Sequence, residues 1–442
     1  MPLKHRLRQQ LPRVLSGSLL SRSRTWPLPI TGLTTALLLA LPAALLVMSP
    51  RRSATGLERL IPSAALLQSF PAEPAAAPPP LWRQRLGPDL AGMLWPQQRR
   101  LWWQFWGAHG DAGAYLVLQL PRHAPLPAQA LRVDDLVVVA PNPLARQLLQ
   151  QELQVRRRVP RGLALRCSQR LQEREAVHWN AAALSQMFGP LAPLAQQQQQ
   201  GCLVLSGQGR ELLWQGEADA SDGSLAPPPP ALAVPPAQPL PATQLLELRG
   251  RRLDLLLQGP LSSPLLRQSL SHTYGLNPAV LQVLQRSDFQ LRLRSVQRGP
   301  FQAALELQLA VSGERRVLER WLSELQQALV DQGLESNQPA AGLTTWSRED
   351  GRVVGGWRWL QGQRQLLLFL GPVPSRIPTS PPLAGVDWRL RLQPSALAAA
   401  GLLPPGSAVV LRRADQLLLL GQPQGMRAGE RRSALAGRLN LP

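Results

Sequence analysis

The stretch LELQLAVSGERRVLERWLSELQQALVDQ, residues 305–332, holds two periods in succession. Leu305, Leu307 and Leu309 alternate with Glu306 and Gln308, as in a strand with one buried and one wet face. From Glu314 to Gln332 the apolar positions become Val317, Leu318, Trp321, Leu322, Leu325 and Leu329, a three-to-four spacing that predicts an amphipathic helix. The same alternation recurs in Leu291-Arg292-Leu293-Arg294 and in Trp388-Arg389-Leu390-Arg391-Leu392. Strands interleaved with single helices predict an α+β fold of mainly antiparallel sheet with helices covering one side.

Upstream, YLVLQL (115–120) reads as a strand and LRVDDLVVVA (131–140) as a hairpin turning at Asp134-Asp135. Asn142 caps a helix that has Pro143 in its first position and Leu144, Leu148, Leu149 and Leu153 along one face. A strand-like LALRCS (163–168) follows, then a helical stretch from Leu171 to Phe188 and two short strands, GCLVLSG and RELLWQGEA. Two proline-rich stretches, SFPAEPAAAPPP (69–80) and APPPPALAVPPAQPLPA (226–242), read as extended spacers.

Residues 28–48, LPITGLTTALLLALPAALLVM, are uncharged and mostly apolar, and as a helix they span roughly 30 Å of hydrocarbon. Lys4, Arg6, Arg8, Arg13, Arg22 and Arg24 precede them without a carboxylate, so the positive-inside rule places the N-terminus in the cytoplasm and the bulk outside it. A cleaved secretory signal is the rival reading, but its apolar core is ordinarily shorter. The expected organisation is a basic cytoplasmic leader (1–27), a transmembrane signal anchor (28–48), a Pro/Ala-rich spacer (49–81), an α+β module (82–225), a Pro-rich linker (226–242), a second α+β module (243–423) and a basic tail (424–442).

The two modules echo each other. LRVDDLVVVA followed by PLARQLL resembles LRGRRLDLLL followed by PLLRQSL, and a helix with two strands after it is repeated near the end of each. Either duplication of one module, with an inserted helix and strand pair in the second, or chance agreement in a chain so rich in Leu, Arg and Gln accounts for the echo. An anchor followed by modules in which a hairpin such as LRVDDLVVVA runs into a Pro-started helix resembles the membrane-anchored α+β proteins that recur in bacterial genomes, cyanobacterial ones included. That resemblance implies a placement in the envelope and carries no catalytic residues with it.

Composition excludes several chemistries. The 442 residues include 90 Leu, and of 48 basic residues only Lys4 is a lysine, which removes the lysine of a phosphate-binding loop, of a kinase and of a Schiff-base enzyme. The five histidines form no metal-binding pair at helical spacing, no nucleophile elbow occurs, and no cofactor is expected. The net charge of +21 is spread along the chain, without the concentrated patch or module that nucleic-acid binding needs.

Two features remain as candidates. WPQQRRLWWQFW (95–106) concentrates Trp95, Trp102, Trp103 and Trp106 beside Arg99 and Arg100. Such a run serves as core packing, as a dock on a lipid interface whose phosphates meet the arginines, or as a stacking surface for a glycan. Cys167 and Cys202 either form a disulfide, which an oxidising compartment permits, or are two small buried side chains. The reading that best joins these features is a non-enzymatic, single-pass envelope protein that binds a protein, anionic lipid or glycan partner. A hydrolase assembled from His109, Asp111 and His178, and a structural subunit of a membrane complex, are the alternatives.

Overall fold

The computed structural model describes residues 53–107, 113–121, 126–155, 159–183, 198–219, 227–236, 238–253, 257, 263–296, 302–311, 314–360, 364–375, 383, 385–403, 409–424 and 432–442. The expected anchor at 28–48 lies outside them. No helix among the described residues is long and apolar enough to cross a membrane.

The first half begins with a short helix α1 (Leu57–Leu60) and strand β1 (Ala64–Pro71), then passes through helices α2 (Pro80–Leu86) and α3 (Pro88–Leu94) to β2 (Leu101–Gly107) and β3 (Tyr115–Gln119). The hairpin β4 (Ala130–Val133) and β5 (Leu136–Val139) follows, then α4 (Pro143–Val155), α5 (Gly162–Glu173), β6 (Ala176–Trp179), β7 (Gln200–Gln208) and β8 (Glu211–Asp219). The second half runs β9 (Gln244–Gly250), α6 (Pro264–Tyr274), α7 (Pro278–Arg286), β10 (Phe289–Ser295), β11 (Ala303–Ala310) and α8 (Arg315–Asp331). It continues with β12 (Glu335–Ala340), β13 (Leu343–Ser347), β14 (Val353–Leu360), β15 (Gln365–Leu370), β16 (Trp388–Leu392), α9 (Pro394–Ala399), α10 (Val409–Arg413), β17 (Gln416–Gln424) and β18 (Arg432–Asn440).

Among the described residues these strands form one sheet of 18, and each neighbouring pair is antiparallel. Following the pairings from one edge gives the order β4, β5, β3, β2, β1, β6, β7, β8, β18, β17, β16, β9, β10, β11, β15, β14, β13, β12. This order reads alike from both sides of the β8–β18 pair. On each side the first strand of the half, β1 or β9, leaves through two helices, returns as an antiparallel pair, and is flanked by a later strand, β6 or β16, that leads to two more. The join runs in register from Glu211 opposite Asn440 to Asp219 opposite Arg432, with Gln215 and Ala436 at its centre. The topological counterparts differ from the stretches that echo in sequence, because LRVDDLVVVA is the β4–β5 hairpin whereas LRGRRLDLLL starts in β9.

Several expected boundaries shift. The spacer at 49–81 contains α1 and β1, and β1 lies inside the sheet between β2 and β6. The basic tail at 424–442 contains β18, which pairs along its length with β17 and β8 and is mostly buried. Its alternation is hard to recognise because Ala434, Ala436 and Gly437 carry little side chain. LALRCS, expected as a strand, sits in helix α5 with Leu163, Cys167 and Leu171 buried at a spacing of four. The helix expected from Leu171 to Phe188 is helical at the end of α5 and again at 181–183 but is interrupted by β6, and residues 184–197 lie outside the described set. The helix after Asn142 forms, with the Asn142 Oδ1 accepting from the Ala145 N–H at 2.8 Å. Its buried line is Ala145, Leu149 and Leu153, while Leu144 is 64 % exposed.

The first half is covered on both faces rather than one. Trp103, Phe105, Val117 and Val138 pack under α1, α4 and α5. The alternate positions Trp102, Leu116, Leu118, Val137 and Val139 pack under α2 and α3. Burial on both faces explains why YLVLQ and LVVV are continuous apolar runs. In the second half, α7 and α8 cover one face through Val280, Leu284, Leu318 and Trp321. The opposite face, expected to be wet, contains Glu247, Arg292 and Glu306, each 1 % exposed.

Gly201, Gly250, Gly421 and Gly437 mark places where an aromatic ring lies across the neighbouring strand. Gly437 lies beneath Trp214, its cross-strand partner, and a methyl group on it would stand 2.4 Å from the ring. A bare Cα lets the large ring fold over the neighbouring backbone.

Candidate functional site

The tryptophan-rich segment is mostly interior. Trp95, Trp102 and Trp103 are buried, Trp106 is half-buried, and Arg99 and Arg100 are exposed. Trp102 stacks on Phe70 at 4.2 Å between ring centroids and meets Trp82 and Trp95 edge-on at 6.1 and 5.4 Å. The polar edges of two rings are satisfied internally, Trp95 Nε1 donating to the Glu73 carbonyl at 3.0 Å and Trp103 Nε1 to that of Leu171 at 2.8 Å. These three rings hold α2, α3 and α5 against the sheet, which leaves Trp106 and the two arginines as the part of the segment open to a partner.

Cys167 and Cys202 are joined by a disulfide, with Cα atoms 5.7 Å apart, linking α5 to β7 in the core. Beside it a carboxylate is held by the same helix. Glu217, opposite Cys202 on β8 and 1 % exposed, accepts from Arg166 Nε at 3.0 Å and Nη2 at 2.6 Å, and pairs with Arg170 at 3.0 Å. Arg166 and Arg170 are one turn apart, so both reach the strand from one helix face. Across the strand pair from Cys202 stands His178, fully enclosed, and burial depresses its pKa to about 4. A histidine held neutral with no carboxylate partner is placed as packing. His109 and Asp111, the other groups of the expected hydrolase site, lie outside the described residues. Asp134 and Asp135 act as struts: Asp134 accepts from the Gly56 N–H at 2.7 Å, and Asp135 from Gln119 Nε2 at 2.6 Å. Among the described residues no group of three or more His, Cys, Asp or Glu side chains is placed to hold a metal.

The most concentrated charge lies on the polar face of the second half, where alternation in sequence indicated only solvation. Adjacent strands align Arg438, Leu418, Arg391, Glu247, Arg292 and Glu306 in one row across β18, β17, β16, β9, β10 and β11. Arg391 and Arg389 both pair with Glu247, the latter at 3.6 Å, while Arg292 and Arg294 pair with Glu306. Arg292 also donates to the side-chain oxygens of Gln290 at 2.8 Å and Gln308 at 3.0 Å. These contacts explain how charged side chains are buried here, since an unpaired charge is strongly penalised.

At the end of this row the described part of the Pro-rich segment, 227–236 and 238–242, lies along the sheet instead of hanging free. Leu232 packs with Val386, Leu420, Ala434 and Ala436. The Leu232 carbonyl accepts from Gln215 Nε2 at 3.1 Å, and the Pro227 carbonyl from Arg432 Nη1 at 2.7 Å. Proline suits such a strap because it supplies extended backbone without an N–H that must be satisfied. Between the strap and β16, β17 and β18 is a shallow open cleft, walled by Pro235, Pro236 and Leu240 and floored by Leu418. Arg389, Arg391 and Arg438 line it. The cleft draws on residues about 200 positions apart, which is why no local motif announced it.

No family model, curated protein or solved structure matches the chain.

Proposed function

We propose that this chain is a non-enzymatic, single-pass membrane-anchored envelope protein whose folded region stands outside the cytoplasm and binds a partner there. The observation that carries the reading is the Cys167–Cys202 bridge in the core. Structural disulfides belong to oxidising compartments, and the basic leader and apolar stretch ahead of the fold supply a route to one. The two halves are copies of one module that meet through equivalent last strands, β8 and β18. Fusion of the sheets gives a broad, rigid platform, and the strap makes a cleft on it. Recruitment near the membrane, rather than bond making, is the mechanism this arrangement supports.

Thiol labelling tests the reading. In protein isolated from cells under acid quench, Cys167 and Cys202 are expected to resist a maleimide in denaturant until a reductant is added. Immediate labelling of both cysteines would overturn the assignment to an oxidising compartment.

A further inference from the structure

We infer that the cleft under the proline strap binds an anionic amphiphile, its phosphate or carboxylate head held by Arg389, Arg391 and Arg438 and its alkyl arm lying on Leu418 against Pro235, Pro236 and Leu240. The inference rests on the binding-protein reading above and names the ligand class for that protein.

Three properties of the cleft support it. The first is charge: three guanidiniums face two nearby carboxylates, Glu247 and Glu211, the latter accepting from Arg438 Nη1 at 3.4 Å. Arg249 stands directly opposite Arg389 and adds a further cation to the same face. Burial, then the proximity of Arg391, lowers the pKa of Arg389, as expected where cations are gathered in excess of anions. The second is unused donors. The three side chains are between 12 and 14 % exposed, and while Arg389 Nη2 stands 3.6 Å from Glu247 Oε1, the Nε atoms of Arg389, Arg391 and Arg438 lie without a hydrogen-bond acceptor. A phosphate or carboxylate supplies acceptors in the geometry that a guanidinium fork matches best. The third is the wall: proline and leucine side chains flank the donors, and they would gain nothing from a bare inorganic ion but would bury an alkyl chain.

The test uses the full chain in phosphatidylcholine nanodiscs, titrated calorimetrically with octyl phosphate, octanoate, inorganic phosphate and octanol, with protein-free discs as reference. Saturable binding of octyl phosphate or octanoate at one per chain is expected, with inorganic phosphate at least tenfold weaker and octanol silent. Arg438→Gln and Arg389→Gln are expected to weaken binding at least tenfold, and Arg389→Lys to restore part of it. Excess sulfate should displace the amphiphile from the unaltered protein, a result that stands whether or not the variants fold. Absence of saturable heat with both amphiphiles, failure of sulfate to compete, or undiminished binding by a folded Arg438→Gln protein would overturn the inference. Equal affinity for inorganic phosphate would overturn the alkyl arm. A silent titration on protein whose cysteines are bridged sinks the ligand while the export reading stands, and reduced cysteines with intact binding do the reverse.

Discussion

At the scale of single residues, His178 gives the clearest pH signature. Its folded pKa of about 4 lies below the ordinary 6.5, so the neutral form is the one that fits. The stability this represents is fully present above pH 6.5 and is lost as pH falls toward 4, where the unfolded chain has already taken up a proton that the folded chain resists. The shift corresponds to up to about 3 kcal/mol. His178→Gln is expected to flatten the fall in Tm between pH 7 and pH 4.5; an unchanged profile would show that other groups set the acid limb. The tryptophans separate in the same way. Trp102→Ala empties the centre of a ring cluster and is expected to cost about 3–5 kcal/mol by chemical denaturation, whereas half-exposed Trp106→Ala is expected to cost far less. The concentration of rings at 95–106 was plain in the sequence, but which of them faced outward was not. Burial of Trp95 and Trp102 depends on Trp82 and on Phe70, the latter arriving from a segment that reads as a spacer.

At the scale of elements, the legible parts were those whose period is set by local geometry. The alternating runs at 291–294, 305–309 and 388–392 are strands, and the three-to-four pattern after Glu314 is helix α8. Elements went unread where tertiary pairing supplies what the side chains lack. Helix α5 was obscured because its buried line of Leu163, Cys167 and Leu171 is thin, and its other contacts are ionic. That anchoring is testable. Glu217→Ala leaves Arg166 and Arg170 facing a buried strand without a counter-charge, and is expected to destabilise by about 3–5 kcal/mol. A loss below about 1 kcal/mol would mean that the disulfide alone holds α5 in place.

At the scale of the whole molecule, the sheet is continuous because β18 completes it. A tail that reads only as basic is the strand on which the two halves meet, with Asp219 and Arg432 paired at one end of the seam at 3.3 Å and Glu211 and Arg438 near the other at 3.4 Å. Truncation after Pro423 exposes the edges of β8 and β17 together, and unpaired edges of that length promote association between chains. The truncated protein is therefore expected to aggregate, and a monodisperse product on size-exclusion chromatography would contradict a fused sheet. The arginine cleft belongs to this scale too. Arg389 and Arg391 read as the wet side of a strand, and only Pro235, Pro236 and Leu240 of the strap, with Arg438 arriving from β18, turn alternation into a cleft.

Export of the folded region is the claim on which the partner class depends, and protease treatment of intact cells stripped of their outer layers tests it most directly. With an epitope tag placed after Pro442, added protease is expected to remove the tag while a cytoplasmic marker stays whole. A tag that survives until the inner membrane is broken would contradict the account.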